Sequence, residues 1–327
     1  MHNLRLDGAE KILWEPLWKL EIPLSPLEQA LLSTSPLRRL HHLAHSGSSS
    51  ILTGHTQSRL QHTLGVFALV AYFQPDNVLL RIAALLHDVG HYPFSHTLEQ
   101  LPGIDHHRLT LERLHTAPIA PLLQSHGVEP ELVVQFIEGD PPSPLRNQSD
   151  ALHADHLDAW ARGAQSRGQL DTSANILSHL RLIDGYLETN RATADYLVEL
   201  ITLEAHFHAS AADLGSSALI ERLTSSLLKA DTLTLNALAD MTDAELSFHL
   251  LNSPQTSAEA RRLWFGPGHL TVSREVETEG ISVEKDKFYL SLPRVDGKPA
   301  DSPRIRELLA SVEELRGTYV IHWEPNG

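Results

Sequence analysis

Between Leu85 and His96 the chain reads "LLHDVGHYPFSH", an apolar run that ends in three histidines and one aspartate: His87, Asp88, His91 and His96. Imidazole and carboxylate side chains in that density suit two kinds of chemistry, coordination of a transition metal and proton transfer near neutral pH. The chain carries 21 histidines in all, but an enrichment says little until position is considered. His87 and Asp88 are adjacent at the end of a predicted buried helix. As helical neighbours they diverge by about 100°, so one ion lies between them only if other helices close the cage. His62, on the preceding amphipathic segment, is the natural third ligand, because two antiparallel helices would bring it against His87. A fourth ligand should be a carboxylate on a later helix. "ALHADHLDAWARG" offers Asp155 and Asp158, and their i, i+3 spacing puts both on one face, so spacing leaves the choice open.

Stepping outward, "SRLQHTLGVFALVAY" (58–72) and "NVLLRIAALLHDV" (77–89) have helical apolar spacing, and Gly90 and Pro93 stop the second. Two short helices are predicted in "LEQALLSTSPLRRLHHLAH", with further helix over 107–115, 130–138, 149–163 and 192–252. "ILSHLRLIDGYLETN" (176–190) predicts a hairpin turning at Asp184-Gly185. After Pro254 the composition changes. "GHLTVSREVETEGISVE" and "KFYLSLPRVDGKP" predict strands, followed by a helix over 303–316 and a last strand, "TYVIHW". The expected fold class is mainly α: a helical body over 1–255, and a small α+β C-terminal subdomain over 256–327.

The bulk properties narrow the function. The 327 residues allow a large buried core. A net charge of -15 argues against nonspecific binding to nucleic acid or anionic membrane. Cys is absent, which removes disulfides, thiolate catalysis and Cys-ligated zinc. No run approaches the roughly 20 apolar residues of a membrane span, and the N-terminal stretch lacks the pattern of a signal peptide. A cytoplasmic protein is expected.

Together, "SRLQHTLGV", "LLHDVGHYPFSHTLE", "DHHRLTLE" and "HADHLDAWAR", in that order, resemble the HD-domain phosphohydrolases, in the branch of deoxynucleoside triphosphate triphosphohydrolases. The resemblance covers roughly residues 10 to 250. It implies an HD-domain helical bundle with His62, His87, Asp88 and Asp155 as metal ligands, choosing Asp155 over Asp158. It implies that Arg59 grips substrate phosphate, and that His91, His96 and His106 surround the scissile phosphate, with neighbouring His107 an alternative to His106. Glu99 would orient His96, the expected general acid. His45, His156, His206 and His208 fall at substrate-binding positions. Three of these differ from the family: His156 stands for a triphosphate-binding lysine, His45 for a sugar-reading glutamine, and His206 for a tyrosine. Ala159 replaces the tyrosine that packs on deoxyribose, and Ala209 replaces a lysine.

The implied cofactors are one Fe, Mn, Zn, Co or Ni ion, with Mg or Mn accompanying the substrate phosphates. The implied reaction splits a dNTP into deoxynucleoside and triphosphate, by attack of activated water at the α-phosphorus. An HD phosphomonoesterase acting on nucleoside monophosphates is the alternative, and a non-catalytic nucleotide sensor a third reading. A homo-oligomer is expected, with a nucleotide substrate and neither membrane nor nucleic-acid partners. Around "TSPLRRLHHL" the residues of a guanine-nucleotide regulatory site are replaced by Ser33, Arg38 and His41, so activation by GTP is not expected.

Overall fold

The computed structural model describes residues 11–171, 175–274 and 279–324. It is mainly helical, with a C-terminal α+β part. Helix Arg59–Phe73 is its axis. Ser58 and Gln61 close a reciprocal capping box at its start, and almost all of its residues from Arg59 to Ala71 are buried, as expected of a helix covered on every side. The 74–77 turn returns the chain as helix Val78–Leu86, started by the Asn77 side chain. That return sets His62, in the first turn of one helix, beside His87, the C-cap of the other; their ring centroids are 5.7 Å apart.

Two glycines let the next elements close in. A Cβ on Gly65 would lie 2.0 Å from the Asp158 carboxylate and 2.4 Å from Arg162, so only glycine allows helix Ala154–Ser166 to pack there. A Cβ on Gly90 would lie 2.2 Å from the Thr110 nitrogen and 2.4 Å from the His106 carbonyl oxygen. Gly90 thereby admits helix His106–Leu114 against the histidine loop.

One apolar core joins these helices to the start of helix Arg191–His208. A second core gathers Tyr92, Phe94, Leu98, the helices between Ser216 and Phe265 and the last strand, Gly317–Trp323. The loop bearing His91 and His96 lies where the two cores meet. Its backbone is constrained there, since Phe94 and Ser95 both take positive φ, 56° and 53°, without being glycine.

Departures from the expected elements have local causes. The helix expected from 149 begins at Ala154, because Leu152 is drawn into backbone pairing with Leu292. The stretch expected as helix over 192–252 is broken by the Ser210 cap, by Asp231 at positive φ and by the Thr242 cap. An antiparallel hairpin, Ile12–Glu15 with Leu20–Pro23, was not expected. The hairpin at Asp184-Gly185 forms with short strands, Arg181–Ile183 and Tyr186–Glu188. From "KFYLSLPRVDGKP" come only the two-residue strands Arg294–Val295 and Lys298–Pro299. Residues 275–278, inside the first expected strand stretch, lie outside the described residues. The change in sequence character near 255 is not a break in packing. Strand Arg294–Val295 pairs with Tyr186–Glu188, and Ser302, capping helix Pro303–Glu313, donates to Asp195 of helix Arg191–His208 at 2.7 Å. Among the described residues no helix is long and apolar enough to cross a membrane.

Candidate metal centre and adjoining histidines

His62, His87 and Asp155 bring ligand atoms within 4.8 Å of one another. Asp88 joins them: its Oδ2 is 3.7 Å from His62 Nε2 and its Oδ1 3.4 Å from His87 Nε2. Both imidazoles are held through Nδ1, His62 by Asp158 Oδ2 at 2.8 Å and His87 by the Ala84 carbonyl at 2.8 Å. Anchoring Nδ1 in this way turns Nε2 toward a shared point, as in metal-binding histidines generally. His87 Nε2 is buried without a hydrogen-bond partner.

The electrostatics suit a cation. Burial alone would raise the Asp88 and Asp155 pKa values, yet the surrounding imidazoles, with Arg59 at Asp88, hold both well below the carboxylate range. Burial pulls His62 down, but hydrogen bonds from its ring to Asp155 and Asp158 prevail and push it up to about 9. A proton therefore sits on His62 Nε2, 3.1 Å from Asp155, where a metal ion would displace it. Two imidazoles and two carboxylates fit a transition metal, with Zn, Fe, Mn, Co and Ni all compatible.

Asp158 is the carboxylate that spacing alone left as an alternative to Asp155. It and Asp155 do share a face, as their spacing required, and they approach opposite nitrogens of one ring. Asp158 is fully buried and accepts from His62, Trp18 Nε1 and Arg162. Glu15 of the N-terminal hairpin pairs with the same Arg162 at 2.9 Å. The spacing of Asp158 and Arg162, i and i+4, was the available signal for this supporting role.

A second group, His91, His96, Glu99 and His106, lies against the first. Asp88 Oδ1 connects them, 3.3 Å from His91 Nε2. Glu99 Oε1 accepts from His96 Nδ1 at 2.7 Å and stands 2.5 Å from His106 Nδ1. It thus holds two histidines, where the sequence assigned it one. The geometry selects His106, since His107 faces Glu138 at 4.0 Å. His91 and His106 stack with 4.2 Å between centroids and 15° between planes. Parallel rings bring ring nitrogens side by side, and an imidazole N–H among them is a donor that suits an oxyanion. Burial keeps His91 neutral, with its pKa far below the usual value and Arg59 and His106 adding to the effect. Desolvation lowers the His96 pKa and Glu99 opposes the shift, although the side chain is half exposed. Glu99 remains ionised; burial opposes this, but His96 and His106 outweigh it.

Arg59 spans the seam, donating to Asp88 Oδ2 at 3.2 Å, Ser95 Oγ at 3.1 Å and the His45 carbonyl at 3.0 Å. His45 lies 4.6 Å from the His62 ring. His156 is in the first turn of helix Ala154–Ser166, its Nδ1 2.7 Å from Ser291 Oγ. Burial drives its pKa down to about 4, so it supplies no charge. His206 and His208 are not brought into either group. His206 is exposed near the end of helix Arg191–His208, and His208 turns to Asp213 at 2.8 Å and Glu204 at 3.5 Å. The helix ends just beyond them, at the Ser210 cap, and that directs both side chains elsewhere. His153, outside both groups, is buried and caps helix Ala154–Ser166.

Residues 59–205 match the HD domain, a span that starts at Arg59 and includes every ligand named above. The metal-dependent phosphohydrolase cns2 of Cordyceps militaris is 26% identical over 299 residues, which is 86% of this chain and 81% of that protein. The uncharacterized protein YwfO of Bacillus subtilis is 31% identical over 116 residues, 32% of this chain. An uncharacterized Mycoplasma pneumoniae protein is 26% identical over 179 residues, 47% of this chain. The matched regions span 27% and 41% of these two relatives, less than half the length of each. Among solved structures, a hypothetical protein from Aquifex aeolicus superposes with a TM-score of 0.61 at 20% identity, over 84% of this chain and 78% of that one. A phosphohydrolase from Bacteroides thetaiotaomicron gives 0.59 at 18% identity, over 81% and 79%. Both share the fold.

Proposed function

We propose that this chain is a metal-dependent nucleotide phosphohydrolase. The observation that carries the reading is the sharing of Asp88, which makes the cation site and the oxyanion-facing histidines one continuous surface. His62, His87, Asp88 and Asp155 would hold the ion, and when bound it supplies Lewis acidity that lowers the pKa of water and offsets phosphate charge. Arg59 presents a fixed positive charge beside it. His91 and His106 face the phosphate oxygens. His96, held through Nδ1 by Glu99, takes up a proton as the anionic substrate arrives and gives it to the leaving oxygen. The resemblance of the relative from Cordyceps supports the reaction class.

The first substrate reading is a dNTP, cleaved at the α-phosphorus to deoxynucleoside and inorganic triphosphate. One feature favours a second reading, hydrolysis of nucleoside monophosphates: His156 is neutral where a triphosphate-binding cation was expected. Incubating the metal-loaded protein separately with dNTPs, NTPs and nucleoside monophosphates, with products read by ³¹P NMR, separates the two. Inorganic triphosphate supports the first and orthophosphate from monophosphates the second. If neither forms with any of these nucleotides, the proposal is wrong.

A further inference from the structure

The C-terminal region enters the site. Leu292 donates to the Asp150 carbonyl at 2.9 Å and accepts from Leu152 at 2.8 Å, which fixes the 288–292 segment three residues upstream of Asp155. Ser291, buried there, holds His156. The Tyr289 ring lies 5.4 Å from the His156 ring, and Lys287 Nζ lies 4.9 Å from the Tyr289 centroid. Although pinned at this position, Tyr289 leaves 52% of its surface exposed. A ring anchored beside an ion site, with half its surface open although Lys287 lies over it, offers a surface to something outside the chain.

From this placement we infer that Tyr289 is the stacking surface for the planar ring of a nucleoside, so that the C-terminal segment supplies one wall of the substrate pocket. The inference rests on the nucleotide reading above. The Tyr289 ring and the His156 ring beside it present flat aromatic surfaces that suit a planar group, while the phosphate takes the histidine and arginine side.

The test is equilibrium dialysis of the full, Mn-loaded chain against AMP and dGMP, with ribose 5-phosphate as the ligand lacking a base. Tyr289→Ala should weaken nucleotide binding about 5- to 150-fold, the span of base–aromatic stacking, and ribose 5-phosphate by less than about two-fold. Tyr289→Phe should bind as the parent does. Tyr289→Leu, which keeps bulk without the aromatic face, should follow the alanine variant and guards against a loss due to misfolding. Equal losses for both ligand classes, an unchanged nucleotide affinity, or a parent that does not prefer nucleotides to ribose 5-phosphate would each overturn the inference. Phosphate release by the parent is measured separately. A protein that binds nucleotides through Tyr289 yet hydrolyses none refutes the hydrolase reading alone, and one that hydrolyses them with Tyr289→Ala binding as the parent refutes this inference alone.

Discussion

Asp158 is the sharpest place to test the metal-centre geometry. Its two oxygens accept four hydrogen bonds: Trp18 Nε1 at 2.7 Å and Arg162 Nη2 at 2.8 Å on Oδ1, His62 Nδ1 and Arg162 Nε at 2.8 Å each on Oδ2. Asp158→Asn replaces one oxygen with an amide N–H₂, so whichever way the amide turns, two donors lose their acceptor. If His62 is the one affected, its proton moves to Nε2 and removes the lone pair needed at the ion. Loss of such a supporting partner lowers metal affinity about 10- to 100-fold. Breaking the buried Asp158–Arg162 pair costs about 3–5 kcal/mol; Glu15 retains its contact with Arg162, so the lower end, about 3 kcal/mol, is expected. At about 2 °C per kcal/mol for a chain of this size, the metal-free Tm falls by about 6 °C. Asp155→Asn should do the opposite: a larger loss of metal affinity with little change in metal-free Tm, since its side chain is 23% exposed. The assays are competition with a chromogenic chelator and calorimetry of chelator-treated protein. An Asp158→Asn protein with affinity within about three-fold and Tm within about 1 °C of the parent would refute the reasoning.

Other expectations follow from the same contacts. Asp88→Ala should lose both bound metal and turnover, whereas His96→Ala should retain metal and lose about 10²- to 10⁴-fold in rate; metal analysis beside phosphate release checks both, and turnover by the Asp88 variant would contradict the site. Arg146 lies near enough to shift His153, His156 and Tyr289, so Arg146→Gln should raise KM about ten-fold for triphosphates and less for monophosphates; equal changes would rule it out as a contact to distal phosphates. Asp243 accepts from the Ala44 and Phe94 nitrogens at 2.6 Å each, and burial raises its pKa from 3.8 to about 6. The folded state therefore binds this proton more tightly than the unfolded chain. The stabilisation is complete below about pH 4 and is lost by about pH 6, by at most about 3 kcal/mol. Asp243→Asn should flatten the change of Tm across that window, and an unaltered slope would count against it. GTP should leave turnover within about two-fold of its value without it, checked by titrating GTP into the steady-state assay.

What the sequence disclosed and what it hid divide by the range of the contacts involved. His62, His87 and Asp88 were legible because their positions depend on one short return between two helices with clear apolar spacing. His106 became distinct from His107 only through Gly90, whose missing Cβ decides which face of helix His106–Leu114 meets the loop. The choice between Asp155 and Asp158 could not be made locally, because a shared helical face is what their different roles require: one ring, His62, lies between them with a nitrogen toward each. What separates them is the company Asp158 keeps, Trp18 and Glu15, from a hairpin some 140 residues earlier. The hairpin itself was missed because its strands are four residues long, too short for alternation to stand out. Tyr289 was hidden for the same reason at the other end of the chain, since only the pairing of Leu292 with residues 150–152 places it. His206 and His208 lie outside both histidine groups. Family position put them at the substrate, but a break at Ser210 and the partners Asp213 and Glu204 took one ring away and left the other in solvent. His62, His87 and Asp88 are thus set by local pattern, whereas the division of roles between Asp155 and Asp158 and the placing of Tyr289 depend on contacts from the two ends of the chain. Substitutions at Trp18 or Tyr289, far in sequence from any ligand, should therefore alter this site as readily as substitutions beside it.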